Sequence, residues 1–210
     1  MNKEINSNGF GYVDLCLPSR TLWATMNVGA NKPSDFGLYF QWGDTQGYTK
    51  EQIGKGDGQK KFVSDWSDYK WNPSGDGTKF TKYLATNEWL NLEDDAAHVN
   101  MGGAWHLPSP EQINELINTA NTTSTWTTQD GVNGRLFTSK KDDSKSIFIP
   151  AAGGAWDGSV RGSGVYGVVW SSMLGTDDVG SGQALDFFSG NVFLCNCYRY
   201  YELSVRGVIG

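Results

Sequence analysis

The chain is short of the residues that most often announce chemistry. It has three cysteines among 210 residues, Cys16, Cys195 and Cys197. That odd count, without a spaced framework, excludes a disulfide-stapled domain. Residues two apart rarely reach disulfide geometry, so Cys195 and Cys197 read as free thiols, as does Cys16. Histidine is scarcer still, with only His98 and His106. Any triad or zinc site would have to draw on one of them. No GxSxG, HExxH, Walker loop or glycine fingerprint in a strand–helix context is present. Positive charge is also in deficit: 17 Lys and Arg against 23 Asp and Glu leave a net charge of −6. Sequence-independent nucleic-acid binding and adhesion to anionic membranes both need basic patches, so both are disfavoured. No apolar run reaches transmembrane length. The opening MNKEINSNGFGYVDL lacks an apolar core, so no Sec-type signal peptide is expected.

Aliphatic residues are modest too, since all hydrophobic types together make 38%. What fills the gap is aromatic: nine Trp, nine Tyr and ten Phe, each able to bury a large area. Glycine is the most frequent residue at 27, which predicts many turns and loops.

The clearest element is SPEQINELINTA, Ser109 to Ala120. Ser109 caps it, Pro110 takes the first helical position, and Ser109 with Gln112 forms a capping-box pattern. Ile113, Leu116, Ile117 and Ala120 make one apolar stripe. A second, weaker helix is expected over Leu92–Asn100. RLFTSKKDDSKSIFIPAAG reads as a hairpin, with strands near Leu136–Lys140 and Ser146–Pro150 about a polar turn at Asp142–Lys145. Further strands are expected at Val168–Ser172, Ala184–Phe188 and Leu203–Val208. Residues 43–87 read as a long irregular loop pinned by Trp66, Tyr69, Trp71, Phe80 and Tyr83. Residues 1–8 read as a tail or linker, and residues 9–210 as one α+β domain.

Most candidate sites have a structural reading that competes with the chemical one. His98, near Asp94 and Asp95, reads as a helix histidine ahead of a metal ligand, and His106 as structural. Asp177-Asp178 reads as an exposed turn ahead of a Ca²⁺ site. GGAWDGSVRGSG reads as a loop rather than a phosphate cradle. The run NVFLCNCYRYYELSVRG, Asn191 to Gly207, is harder. It crowds Phe, Leu, Cys and Tyr together with no obvious face or period. A buried strand, a thiol site and a binding surface all compete for it.

Two stretches carry a family resemblance. NMGGAWHLPSPEQINEL, through Trp105, Leu107, Pro108, Ser109, Glu111 or Gln112, and Leu116, resembles the formylglycine-generating-enzyme-like branch of the C-type lectin fold. His106 stands where that branch carries Arg. WATMNVGANKPSDFGLYFQWGDT, Trp23 to Gly29 and Asp35 to Thr45, is similar to a related domain of Bacteroidetes and their phages. The tail, VWSSML with GQALDFFSGNV and RYYELSVRGV, resembles variable proteins of diversity-generating retroelements. The resemblance implies a C-type lectin-like fold with short antiparallel strands, one or two helices and long irregular loops. It also implies a C-terminal region, at about 155–201, diversified by mutagenesis of AAY codons. Those codons cannot yield Lys, Glu, Gln, Met or Trp, and Phe193–Tyr201 contains none of these.

On that resemblance the chain is expected to be a non-enzymatic, hypervariable receptor- or ligand-binding protein. It would be displayed on a phage tail or a cell surface, as a homo-oligomer or attached to a larger assembly. The expected partner is a cell-surface protein or glycan, without nucleic acid or membrane insertion. The expected face comprises Val160, Arg161, Val165, Val168, Ser181, Ala184, Asp186, Phe188, Asn191, Phe193, Cys195, Asn196, Cys197, Tyr198, Tyr200 and Tyr201. Gly190, Leu194, Arg199, Leu203, Val205 and Arg206 are expected to be framework. No cofactor is expected. Two alternatives stand beside this reading. One is a thiol oxidase using Cys195 and Cys197, although the related enzymes space their cysteines further apart. The other is a lectin that binds carbohydrate through Ca²⁺.

Overall fold

The computed structural model describes residues 4–5, 8–54 and 65–210. The described residues form many short strands and two short α-helices, an α+β arrangement. Strands β1 (Glu4–Ile5), β2 (Gly11–Asp14) and β3 (Leu22–Ala24) join β14 (Val208–Ile209) in one sheet, in the order β1-β2-β3-β14. The ends of the chain therefore meet, with Val208 opposite Trp23. The expected tail is corrected at Glu4–Ile5, which pairs with Tyr12 and Gly11. Residues 1–3 and 6–7 of that stretch lie outside the described residues.

The helix predicted from Ser109 forms as α2 (Pro110–Ile117), closed by the expected capping box. It ends three residues early because side chains take over its last carbonyls. Asn121 Nδ2 donates to Glu115 O, and Thr122 Oγ1 donates to Leu116 O. Asn118 Oδ1 then accepts from the Ala120 amide and turns the chain away. The weaker helix over Leu92–Asn100 is broken at Asp95. A 3₁₀ turn covers Leu92–Asp94, and α1 spans Ala96–Met101. Asp95 is the reason: its carboxylate caps α1 through the His98 amide at 2.9 Å and also holds the Leu107 amide at 2.8 Å.

The expected hairpin forms and gains a third strand. β5 (Thr122–Gln129), β6 (Val132–Ser139) and β7 (Ser146–Pro150) lie in that order. β5 and β6 are joined by Asp130 and Gly131, whose φ values are 52° and 80°. Two consecutive left-handed residues make the mirror-image turn that fits strand twist, and Asp-Gly is a preferred pair for it. The same device corrects the loop reading of GGAWDGSVRGSG. β8 (Gly154–Trp156) and β9 (Ser159–Arg161) are a hairpin closed by Asp157 and Gly158, at φ 52° and 70°.

The central sheet contains β4 (Tyr39–Phe40), β10 (Tyr166–Leu174), β11 (Ser181–Phe188), β12 (Val192–Tyr198) and β13 (Leu203–Ser204). Its order is β12-β11-β10-β13-β4. The expected strand Leu203–Val208 is thus split between two sheets. Arg206 drives the split, because its buried guanidinium leaves the strand to reach Asn27 Oδ1, Ala24 O and Phe148 O at 2.9–3.0 Å. Burial presses its pKa down to about 9, which still leaves it charged at neutral pH.

Each face of the central sheet has its own core. Val169, Leu185 and Phe187 pack with Ile113 and Leu116 of α2, Phe137, Ile147 and Ile149. Val168, Trp170 and Ala184, on the other face, pack with Phe40, Trp42, Trp105 and Leu203. Trp23, Trp42, Trp105 and Trp170 are all buried, and truncating a residue of this size to Ala typically costs about 3–5 kcal/mol. These rings supply the burial that the scarce aliphatic residues do not.

Among the described residues of 43–87, the only regular helical turn is the 3₁₀ turn Trp66–Asp68, as an irregular loop requires. Residues 55–64 of that region lie outside the described residues. Arg199 fastens the loop to the sheet. Its Nε donates to Tyr69 Oη at 2.7 Å, and its Nη atoms donate to Lys82 O, Tyr83 O and Val179 O at 2.9–3.1 Å. The rings of Trp42, Tyr69, Trp71 and Phe80 surround the guanidinium at 4.6–5.7 Å.

Candidate functional site

The run that looked patternless is an edge strand. Within β12, Val192 and Leu194 lie toward the α2 side, while Phe193, Cys195 and Cys197 lie toward the other face. Both faces are partly covered by apolar neighbours, so alternation of apolar and polar residues is not required. Phe193, Cys195 and Cys197 stand opposite Asp186, Ala184 and Gly182 of β11. In turn, Phe188, Asp186 and Ala184 stand opposite Tyr166, Val168 and Trp170 of β10. Successive side chains alternate, so these three strands present one continuous set of residues.

A cavity of about 440 Å³ opens on that set. Its walls are Val165, Tyr166, Val168, Asp186, Phe188, Ser189, Cys197, Tyr201, Leu203 and Trp156. Tyr201 stacks on Trp156 with ring centroids 4.9 Å apart, which fixes one wall. The aromatic surface continues from there. Tyr200 lies 4.8 Å from Tyr201 and 4.7 Å from Trp66, and Tyr198 stacks on Tyr200 at 5.6 Å. On the other side Phe193 meets Phe188 edge-on.

Among the described residues, Asp186 is the only carboxylate in the cavity wall. Burial among apolar neighbours lifts it above the usual carboxylate range, while the Phe187 amide partly offsets this. None of the ion pairs among the described residues involves it. The Tyr166 and Tyr201 hydroxyls are also pushed up, chiefly by burial.

Six of the sixteen expected residues line the cavity: Val165, Val168, Asp186, Phe188, Cys197 and Tyr201. Phe193 and Cys195 adjoin it on the same sheet face. Arg161 lies over the Trp156 ring at 5.5 Å, and Val160 packs against the small cluster around Tyr39 and Ala155. Tyr198 and Tyr200 extend the aromatic surface, with Tyr198 47% exposed.

Four expectations are corrected. Ala184 is fully buried core between Trp170 and Cys195. Ser181 is 8% exposed and its hydroxyl donates to Asp178. Asn196 lies with the opposite set, beside Gln183 and Thr176, and Asn191 sits in the β11–β12 turn against a different cleft. A one-residue change of position along a strand swaps faces, which a patternless run does not reveal. Trp156, Tyr166, Ser189 and Leu203 were not foreseen. The Asp157-Gly158 pair was the signal that Trp156 sits on a hairpin.

Cys195 Sγ and Cys197 Sγ are 3.6 Å apart, in hydrogen-bond contact and not joined by a disulfide. The contact with Cys197, together with burial, pushes the Cys195 thiol well above its ordinary range. A nucleophilic cysteine needs the reverse, a thiol lowered by a nearby cation. His98 binds Trp105 O and His106 binds Leu107 O, both structural roles. Asp178 accepts from Gly180 N and Ser181 Oγ, which makes it a turn residue. Among the described residues no group of three or more His, Cys, Asp or Glu is placed to hold a metal ion. No described helix is long and apolar enough to cross a membrane. No protein-family model, curated protein or solved structure matches the chain.

Proposed function

We propose that this is a ligand-binding protein whose recognition face is the aromatic-walled cavity on the β10–β11–β12 sheet. In this reading the scaffold is C-type lectin-like and the face is diversified by a retroelement. The observation that carries it is the gathering of Val165, Val168, Asp186, Phe188, Cys197 and Tyr201, scattered over 37 positions of sequence, around one concavity. Large rings with few rotors give contact area at low entropic cost, as in antibody paratopes. Phe188, Phe193, Tyr198, Tyr200 and Tyr201 meet that need. Trp156 cannot arise from an AAY codon, so it serves as a fixed wall against which Tyr201 is placed. One half-buried carboxylate among rings suits an apolar or aromatic ligand group that carries a positive charge. The natural partner in this reading is a cell-surface protein or glycan, met by a phage tail or cell-surface assembly.

The test is a display library with NNY codons at Val165, Asp186, Phe188, Phe193, Cys197 and Tyr201, sorted for resistance to protease. A matched library randomises Arg199, Leu203, Val205 and Arg206. Most members of the first should fold and few of the second. Equal survival would refute a separation of framework from recognition. Flanking DNA should carry a near-copy of the 3′ end with AAY codons at Val165, Asp186, Phe188, Cys197 and Tyr201, beside a reverse transcriptase.

A further inference from the structure

A second cleft, of about 350 Å³, lies on the opposite side of the central sheet. It is bounded by the β5–β6 hairpin, the end of α2 and the β11–β12 turn, through Thr123, Ser124, Arg135, Lys140 and Asn191. Arg135 is 6% exposed, yet its Nε and Nη1 have no hydrogen-bond partner among the described residues. Ser124 Oγ is likewise buried without a partner among them. The two side chains share a sheet face, because Trp126, two residues from Ser124, stands opposite Arg135. Burial presses the Arg135 guanidinium below its ordinary range, and no opposing charge offsets this.

An unpaired buried guanidinium costs several kcal/mol, so such groups normally meet a carboxylate, a phosphate or carbonyls. Two carbonyls at the end of α2 already have side-chain donors: Glu115 O and Leu116 O accept from Asn121 and Thr122. No carboxylate lines the cleft, whereas Lys140 adds a second positive charge at its rim. The cleft is therefore locally cationic in a chain whose net charge is −6. The Ser124 hydroxyl, on the same sheet face as Arg135, is a donor of the kind that completes oxyanion recognition.

We infer that this cleft is a binding site for a small oxyanion, a carboxylate or a phosphate group, held by Arg135 with Ser124 and Lys140. It shares no lining residue with the aromatic cavity, so it stands or falls independently of the proposed recognition function.

Thermal melting and calorimetry with inorganic phosphate and with citrate, each against chloride at matched ionic strength, test the inference. At ten times Kd, a ligand specific to the folded state should raise Tm by about 3–6 °C for a chain of this size. A phosphate response identifies a phosphate-type site and a citrate response a carboxylate-type site. Arg135→Met should abolish the shift and leave the unliganded protein at least as stable. Lys140→Ala, at an exposed position, should weaken binding several-fold without altering the unliganded Tm. This second variant keeps the test open should Arg135→Met fail to fold. The inference is overturned if neither anion raises Tm above the chloride control. It is equally overturned if both variants respond as the wild type does.

Discussion

Tyr198 and Arg199 are adjacent in sequence and should respond to substitution in opposite ways. Arg199→Met keeps a long, unbranched side chain between the four rings, so the change in volume is small. What it removes is the fork. Three backbone carbonyls, those of Lys82, Tyr83 and Val179, lose their donor, and so does Tyr69 Oη. Backbone acceptors cannot be substituted along with the arginine, so the usual relief of swapping a whole polar cluster for apolar residues does not apply. At about 1–2 kcal/mol for each acceptor left unpaired, the gross loss is roughly 4–8 kcal/mol. Relief from burying the guanidinium returns part of that. A net loss of about 3 kcal/mol is expected, or roughly 6–12 °C in Tm for a chain of this length. Tyr198 is half-exposed and its side chain packs against the rings of Trp66, Tyr200 and Tyr201, so Tyr198→Ala should cost under about 1 kcal/mol. Urea unfolding with a shared m-value measures both. If the two variants lie within 1 kcal/mol of each other, the division between framework and displayed residues is wrong.

Asp186 gives a pH prediction. Its folded pKa is raised by burial, so the folded state holds the proton more tightly than the unfolded chain. The resulting stability is complete below the unfolded carboxylate pKa and is lost as pH rises through the folded value. Asp186→Asn should therefore melt above the wild type at pH 7, and the gap should close as pH falls through about 4. A gap independent of pH would show that the carboxyl is not perturbed. Cys195 gives a chemical one. A thiol held protonated by its neighbour should alkylate more slowly than free cysteine at pH 8, as read by peptide mass spectrometry. Labelling of Cys195 faster than free cysteine would revive the thiol-oxidase alternative.

Local chemistry with a single dominant partner was legible in the sequence. The capping box of α2 is satisfied by four residues in a row, and the Ser146–Pro150 strand follows from its apolar run and flanking turn. What escaped had partners far away or on two sides. Nothing in LEDDAAHVN says that Asp95 will hold the Leu107 amide as well as cap a helix. β5 is threonine-rich and polar, so only the Asp130-Gly131 turn marked it. The same pair at 157–158 marked the hairpin that carries Trp156.

The strand at the cavity edge escaped for a different reason. Period-two alternation appears when one face meets the core and the other meets water. β12 has Leu194 against the α2-side core and Cys195 and Cys197 against the other core. Both sets are apolar, so the pattern is erased while the geometry persists. That geometry is what would permit variation. Leu194 and Arg199 hold the strand and its following turn from one side or through the backbone. Phe193 and Cys197 lie on the face opposite Leu194, so replacing them leaves the Leu194 packing and the Arg199 hydrogen bonds in place. A segment fixed by alternate residues and by main-chain pairing with β11 can carry unrelated side chains in between. Framework and recognition then coexist within nine consecutive positions.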